Sequence, residues 1–164
     1  MSYYDESTDQ KISQLSRTHP ELAKFMAEEL VQNFPDHRRS WAALAYVYEM
    51  ARDFRKAIEC LEKSAELAPM EPVCDFNIGR MYLDLREFDK ASYFFSECMR
   101  KSLENGDDYY MYASRFLKIY CLCMIGDYRI AIDEIELVRD YDCWWIDGLI
   151  TKSYLEKMCK YKQL

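Results

Sequence analysis

The side chains that could act as acid, base or nucleophile are few, and their spacing does not favour catalysis. Only two histidines occur, and His19 precedes a proline at a predicted helix start, which favours a turn residue over a general base. Asp133, Glu134 and Glu136 lie close in sequence, but adjacent helical residues diverge by about 100° around the axis. A solvated acidic face is therefore favoured over an acid/base pair. We predict that the chain is not an enzyme and has no catalytic residues.

The seven cysteines also show no arrangement that would hold a metal. Their number is odd, no CxxC occurs, and neither histidine has a cysteine at zinc-ligand spacing. Cys121 and Cys123 are separated by one residue, so a helix would point their side chains apart. We predict no metal, no cofactor, and reduced, mostly buried thiols in a reducing compartment.

Charge and hydropathy exclude two classes of partner. The formal net charge is −7 and the pI is about 5.0, and negative charge is repelled by nucleic acid and by anionic membranes. No run approaches the roughly 18 apolar residues of a membrane span, and the first residues lack the basic and apolar regions of a signal peptide. We predict a cytoplasmic protein with no nucleic-acid or membrane partner. The acidity fits a basic protein partner, and it equally fits a role in solubility alone.

A regular sequence period organises the elements that must position any binding residue. Ala23, Ala57 and Ala91 are evenly spaced, and the same interval separates Pro35 from Pro69. The interval is 34 residues in each case. A fixed period of this length is the sequence signature of stacked helical repeats. Only four glycines and four prolines occur, which is too few for the many tight turns of a sandwich or barrel.

Three segments of about ten residues repeat one local pattern within this period. Each has an acidic residue, then an aromatic residue, then an alanine with a large apolar residue four positions later. The acidic residues, Asp53, Glu87 and Asp127, stand where a helix would begin, so they favour helix capping. The alanine and the apolar residue fall on one helical face, which predicts a close crossing of two helices.

The spacing and residue types resemble the tetratricopeptide repeat, a helix–turn–helix unit with Trp, Leu-Gly, Tyr, Ala, Phe, Ala and Pro at fixed positions. The second repeat matches most fully, through Trp41, Leu44, Ala45, Tyr48, Ala57, Leu61 and Pro69. The resemblance implies an all-α, right-handed α-α superhelix of about four repeats in one domain over residues 1–164. The repeats would span about 4–37, 38–71, 72–105 and 112–145, and a capping helix would span about 146–161. Six extra residues before the fourth repeat predict a charged loop at residues 104–108.

In tetratricopeptide arrays the first helix of each repeat lines a concave groove that holds partner peptides or helices. Carried over by position, the resemblance implies partner-binding roles for Arg39, Ala42, Tyr46, Glu49, Phe76, Asn77, Arg80, Leu83, Phe116 and Tyr120. Some domains of this family grip a chaperone's terminal carboxylate with Lys, Asn and Arg. Ala42 and Tyr46 occupy positions of that clamp, which argues against a chaperone co-adaptor. The alternative for the fourth repeat is that its residues belong to the core.

A second predicted surface lies after residue 102. Residues 102–151 hold ten acidic and four basic residues, with Asp133, Glu134 and Glu136 as predicted partner contacts. Acidic and aromatic residues together favour a basic partner. The aromatic residues of this segment that we expect to contribute are Tyr109, Tyr110, Tyr112, Trp144 and Trp145. A merely solvated acidic face is the alternative.

A short acidic array of this kind suits a binding protein with one dedicated protein or peptide partner. The charge concentration favours a bacterial immunity protein that neutralises a cognate, often basic, toxin. The alternatives are a secretion-system chaperone that holds a translocator subunit, or a general adaptor. A homodimer through the groove or the terminal helix also stays open.

Overall fold

The structure, a computed structural model, describes residues 4–140, 142–146 and 148–161. These residues form nine α-helices and one antiparallel two-stranded hairpin. In chain order the elements are α1 (Ser7–Thr18), α2 (Pro20–Asn33), α3 (Arg38–Met50), α4 (Phe54–Leu67), α5 (Pro72–Asp84), α6 (Phe88–Asn105), α7 (Asp108–Ile125), α8 (Tyr128–Ile135), β1 (Cys143–Trp145), β2 (Leu149–Thr151) and α9 (Lys152–Tyr161). In the ranges described, none of the helices has the length and apolar character needed to cross a bilayer.

The helices follow the predicted repeats in pairs, from α1 and α2 to α7 and α8. The prediction of an all-helical fold of helix–turn–helix repeats is thereby confirmed, with the short hairpin as an addition. The chain divides into two compact units, unit 1 over residues 1–81 and unit 2 over residues 82–164. In unit 1, α3 packs against α1, α2 and α4, and in unit 2, α7 packs against α6, α8 and α9.

The repeated alanines lie at the interior of both units. Ala23 and Ala57 in unit 1, and Ala91 and Ala131 in unit 2, are fully buried. A methyl side chain lets two helix backbones approach more closely than any larger apolar residue would. The alanines that mark the repeats in the sequence are therefore buried between helices within each unit.

The acidic residues predicted as caps stand at the N-cap positions of their helices. The Asp53 carboxylate accepts a hydrogen bond from the Lys56 backbone N–H at 3.4 Å, at the start of α4. Glu87 and Asp127 occupy the same position before α6 and α8 without a side-chain capping bond in the described residues. Their negative charge still faces the positive end of each helix dipole.

The residue before each of these caps has a left-handed backbone. Arg52 and Arg86 have φ values of 59° and 58°, and Gly126 has a φ of 96° at the equivalent position of the fourth repeat. A side chain makes this conformation unfavourable by roughly 1–2 kcal/mol, and glycine removes that penalty. The turns within the second, third and fourth repeats therefore share a left-handed conformation that only the fourth repeat meets with glycine.

We expect Gly126→Ala to lower the free energy of unfolding by about 1 kcal/mol, because alanine is strained at this φ. Steric overlap is not the cause, since an added Cβ would lie 3.9 Å from Cε2 of Tyr128. Gly126→Asn is the matched control, because asparagine tolerates the left-handed region better than alanine. Urea unfolding of the three proteins measures the difference, and equal losses in both variants would contradict the explanation.

The six extra residues of the fourth repeat do not form the predicted charged loop at residues 104–108. Instead, α6 and α7 have 18 residues each, whereas α2 and α4 have 14. The intervening turn is short because Gly106 is left-handed and the Asp107 N–H donates to the Ser102 carbonyl at 2.9 Å. The Asp107 side chain then caps α7 by accepting from the Tyr110 N–H at 3.1 Å. The loop prediction was wrong because a left-handed glycine followed by a capping aspartate closes this turn.

The terminal helix is also shorter than the sequence pattern indicates. It begins at Lys152, whereas a start near residue 146 was predicted. The preceding residues form the hairpin, in which Trp144 pairs with Ile150 and the Ile146 N–H donates to the Gly148 carbonyl at 3.0 Å. Aromatic and β-branched residues around a glycine favour paired strands over a helix, although their apolar spacing fits both.

Helix α9 closes one side of unit 2 with its buried face. Leu155 is fully buried, and Cys159 Sγ lies 3.3 Å from Cys123 Sγ on α7. Lys152, at the start of α9, donates to the Asp140 carboxylate at 3.0 Å. We propose that α9 shields the apolar surface left open by the last helix pair, since a solenoid needs such a cap.

We expect Leu155→Ala to destabilise the protein by about 2–5 kcal/mol, because truncation of a fully buried leucine leaves a cavity between α9 and its neighbours. Tyr154→Ala on the exposed side of α9 is the control, with an expected change within about 0.5 kcal/mol. Denaturant unfolding followed by circular dichroism compares them. Equal effects would mean that α9 does not stabilise unit 2 through its buried face.

Candidate protein-binding surfaces

One face of α3 forms the centre of a depression in unit 1. Arg39, Ala42, Tyr46 and Glu49 recur every three or four residues, so they share this face. Two cavities of about 230 Å³ and 170 Å³ adjoin there, and Ala42 and Tyr46 line both. Residues of α1, α4 and α5 complete the walls. We call this depression the unit 1 groove, defined by Asp9, Ile12, Arg39, Ala42, Tyr46, Glu49 and Asn77.

Charged residues at both ends of the unit 1 groove are paired within the chain. Arg80 donates to the Glu49 carboxylate at 3.2 Å and to the Asn77 side-chain oxygen at 3.3 Å. At the other end, Arg39 forms an ion pair with Glu6 at 2.5 Å. The groove therefore combines charge-compensated ends with a centre formed by an alanine and an aromatic ring.

Four of the predicted groove residues are part of the core. Phe76, Leu83, Phe116 and Tyr120 retain only 5%, 8%, 2% and 6% of their exposure. Side chains so buried offer a partner almost no surface, because helix packing within each unit has already covered them. We therefore remove these four from the candidate surface and keep Arg39, Ala42, Tyr46, Glu49, Asn77 and Arg80.

The acidic surface of unit 2 is smaller than the sequence suggests. The Glu134 carboxylate accepts from Lys118 at 2.5 Å and lies 3.7 Å from Nε of Arg115, so its charge is compensated. Asp133 and Glu136 are exposed and form no ion pair with any residue that the structure describes. Two of the three predicted acidic contacts thus remain available, and we call them the acidic flank.

Further acids of this segment are also neutralised locally. Asp142 is bound by the Arg139 guanidinium at 2.8 Å, and Asp140 by Lys152 at 3.0 Å. The count of acidic residues therefore overstates the negative potential of this surface. The partner of Asp140 could not be inferred from the sequence, because Lys152 lies beyond the hairpin.

Three of the predicted aromatic residues come together beside α7. Tyr109, Tyr112 and Trp144 line one cavity of about 190 Å³, with Phe116 and Arg139 among the other lining residues. The Arg139 guanidinium carbon lies 3.9 Å from the centroid of the Tyr112 ring. We call this the hairpin cavity, because β1 supplies one of its walls.

The other two predicted aromatic residues are not among those that line this cavity. The Tyr110 ring contacts the Tyr109 ring edge-on, with centroids 5.1 Å apart. The side chain of Trp145 lies outside the part of the chain that the structure describes. The contribution of Arg139 was missed because Arg139 and Asp142 lie between α8 and β1, where sequence spacing gives no guide to pairing.

The thiols and histidines are held in structural surroundings. Six of the seven cysteines are buried, and Cys143 is exposed at the hairpin. Burial raises the pKa of Cys60 to about 11 and the pKa of Cys121 to about 12. The His37 ring stacks on Tyr4, with centroids 3.7 Å apart. Within the described residues, no three His, Cys, Asp or Glu side chains are grouped as a metal site would need.

Comparison with known sequences finds one family match, over residues 20–98, to the family described as anaphase-promoting complex, cyclosome, subunit 3. This region runs from the start of α2 into α6. A comparison with curated proteins finds no match.

Comparison with solved structures finds helical repeat proteins of similar fold. A chain from a crystal structure of a T3SS complex from Aeromonas hydrophila has a TM-score of 0.63 and 15% identity, with 74% of this chain and 85% of that chain covered. TPR-like repeats from Podosopora anserina have a TM-score of 0.67 and 15% identity, with coverage of 80% and 71%. The structure described as MamA MSR-1 C2 has a TM-score of 0.62 and 18% identity, with coverage of 81% and 77%.

These likenesses are at the level of the fold, since none of the three identities exceeds 18%. They agree with the helix pairs observed here and with the buried alanine that recurs in the second helix of each pair. Repeat period, helix pairing and structural similarity together show a fold built of tetratricopeptide-type helical repeats.

Proposed function

We propose that the chain is a protein–protein interaction module that holds one polypeptide partner in the unit 1 groove. The observation that carries this proposal is the position of Tyr46, half-buried between two adjoining cavities. Aromatic side chains in such positions are frequent hot spots of protein interfaces, and paired cavities on a helix face suit successive side chains of a bound segment.

The chemistry of the groove favours a segment with apolar anchor residues. Glu49 is paired with Arg80 and Arg39 with Glu6, so of the acidic residues that line the groove Asp9 is the one a basic segment would meet outside these pairs. Ala42 and Tyr46 in the centre instead offer apolar area, and burial of such area is the main source of affinity at an interface core. Polar groups of a partner backbone would find donors and acceptors at the two ends.

A finer proposal concerns the identity of the partner. The structural likeness to a chain of a T3SS complex supports a chaperone-like role, in which the groove holds a subunit of a secretion system. This role agrees with an apolar groove because a translocator subunit must keep its apolar segments covered before assembly. Identification of the partner by co-purification from the native cell tests this proposal.

The second candidate is an immunity protein that neutralises a basic toxin through the acidic flank. Asp133 and Glu136 are exposed and lie one helical turn apart, which supports it. The compensation of Glu134, Asp140 and Asp142 reduces the charge available for this role. The geometry therefore supports the groove more strongly than the flank.

We expect Tyr46→Ala to weaken binding of the co-purified partner at least about tenfold, because it removes the ring shared by both cavities. Ala42→Glu places a charge in the apolar centre and is expected to weaken binding further. Phe25→Ala on α2 is the matched control, since Phe25 is an exposed aromatic residue of unit 1 outside the groove. Isothermal titration calorimetry measures affinity, and circular dichroism verifies that each variant is folded.

Unchanged affinity in both groove variants would contradict the proposed function. A loss in Phe25→Ala as large as that in Tyr46→Ala would do the same, because it would place the partner on the outer surface of α2. Phe76→Ala is unsuitable for this test because it would open a cavity in the core.

Charge reversal separates the two candidates. If the acidic flank binds a basic toxin, Asp133→Lys combined with Glu136→Lys should weaken binding by at least about tenfold, with a loss that shrinks at high salt. If the groove holds the partner, this variant should bind as the wild type does. Glu59→Lys with Glu62→Lys on α4 is the control, because it changes the net charge equally from another exposed pair. Equal loss in both double variants would indicate a nonspecific charge effect and contradict the flank.

A further inference from the structure

The hairpin cavity in unit 2 is a second recess, separate from the unit 1 groove. It lies between α7 and the hairpin, and its volume of about 190 Å³ is open to solvent at Tyr109, which is 64% exposed. Phe116 is buried at its base. The remaining lining includes Trp144, Ala113 and the pair formed by Arg139 and Asp142.

The Arg139 guanidinium is fixed by two different interactions. Its Nε donates to Oδ1 of Asp142 at 3.0 Å, and its Nη2 lies 2.8 Å from the same oxygen. One face of the group lies against the Tyr112 ring at 3.9 Å. The Arg139 side chain is 39% exposed and lines the cavity. Its position is held before any partner arrives, so a ligand would meet it without an ordering penalty.

Charge decides which kind of side chain suits this cavity. The Asp142 carboxylate is only 13% exposed and already binds Arg139, so an incoming cation would meet the guanidinium beside a carboxylate that is already paired. An incoming carboxylate would compete with Asp142 and would lose hydration among aromatic rings. An uncharged aromatic ring presents its negative face to the guanidinium and brings apolar area to the neighbouring aromatic rings without an added charge.

We propose that the hairpin cavity receives an aromatic side chain of a partner protein, which stacks on Arg139 beside Tyr109 and Trp144. This inference rests on the proposed function only in that it assumes a protein partner. It adds a second contact site and assigns it the chemical class of its ligand. Tyr109 is the wall at the entrance, and Arg139 is the positively charged surface of the stack.

The test uses the full chain and the probe N-acetyl-tryptophanamide, with binding followed by saturation-transfer NMR and by chemical-shift titration. N-acetyl-leucinamide and N-acetyl-argininamide are the comparison probes. We expect the tryptophan probe to bind several-fold more tightly than either, because only it combines a π face with apolar area. Tighter binding of the arginine probe would overturn the proposal, as would the absence of binding up to the solubility limit of the tryptophan probe.

Two variants locate the bound probe. Tyr109→Ala is expected to weaken binding about fivefold without unfolding the protein, because Tyr109 is exposed. Arg139→Lys keeps the charge but removes the planar group, so it should also weaken the tryptophan probe. Tyr93→Ala is the matched control, since Tyr93 is another exposed tyrosine of unit 2 that does not line the cavity. An equal effect of Tyr93→Ala, or no effect of the other two variants, would overturn the assignment.

The outcome is independent of the groove experiment. Tyr46→Ala should leave affinity for the tryptophan probe unchanged, whereas it should weaken the partner. Probe binding with an unaffected partner would reject the groove and support the cavity. Loss of the partner in Tyr46→Ala without probe binding would support the groove and reject the cavity.

Discussion

The complete burial of the repeated alanines is the constraint on which the rest of this structure depends. Ala23, Ala57, Ala91 and Ala131 are fully buried, and each lies in the second helix of a pair. A larger side chain at any of them would push a helix away from its partner and from the neighbouring apolar residues. The spacing of these alanines thus fixes where each first helix lies, and in unit 1 the first helices carry the groove.

The sequence predicted the helix pairs well because periodic patterns report helix faces directly, and the buried alanines and N-cap acids mark the same positions in the structure. Prediction from the sequence failed where a single residue decides the local secondary structure. Gly106 with Asp107 closes a turn that otherwise looks like a loop, and apolar spacing alone did not separate the strands around Gly148 from a helix. Phe76 and Phe116 were assigned to the groove by position but are buried, because the angle around a helix is too coarse a guide to burial.

Charge was the least predictable property, since a sequence lists the charges but not their partners. Glu134 is compensated by Lys118 from a different helix, and Asp140 by Lys152 from beyond the hairpin. Such pairs change the meaning of a net charge, because paired groups contribute little to long-range attraction. The candidate surfaces are consequently distinguished by their apolar and aromatic centres, Tyr46 in unit 1 and Tyr109 in unit 2, more than by acidity.

The left-handed turns at Arg52 and Arg86 have a consequence for how such a module changes over time. Each holds a long side chain in a conformation that glycine adopts without strain, so substitution by glycine would relieve strain of roughly 1 kcal/mol and raise the stability of the fold. Neither residue lines the unit 1 groove or the hairpin cavity. Adaptation of a binding surface usually lowers stability, and these turns provide a place to restore it without altering partner choice. Recognition and stability are therefore separable traits in this chain.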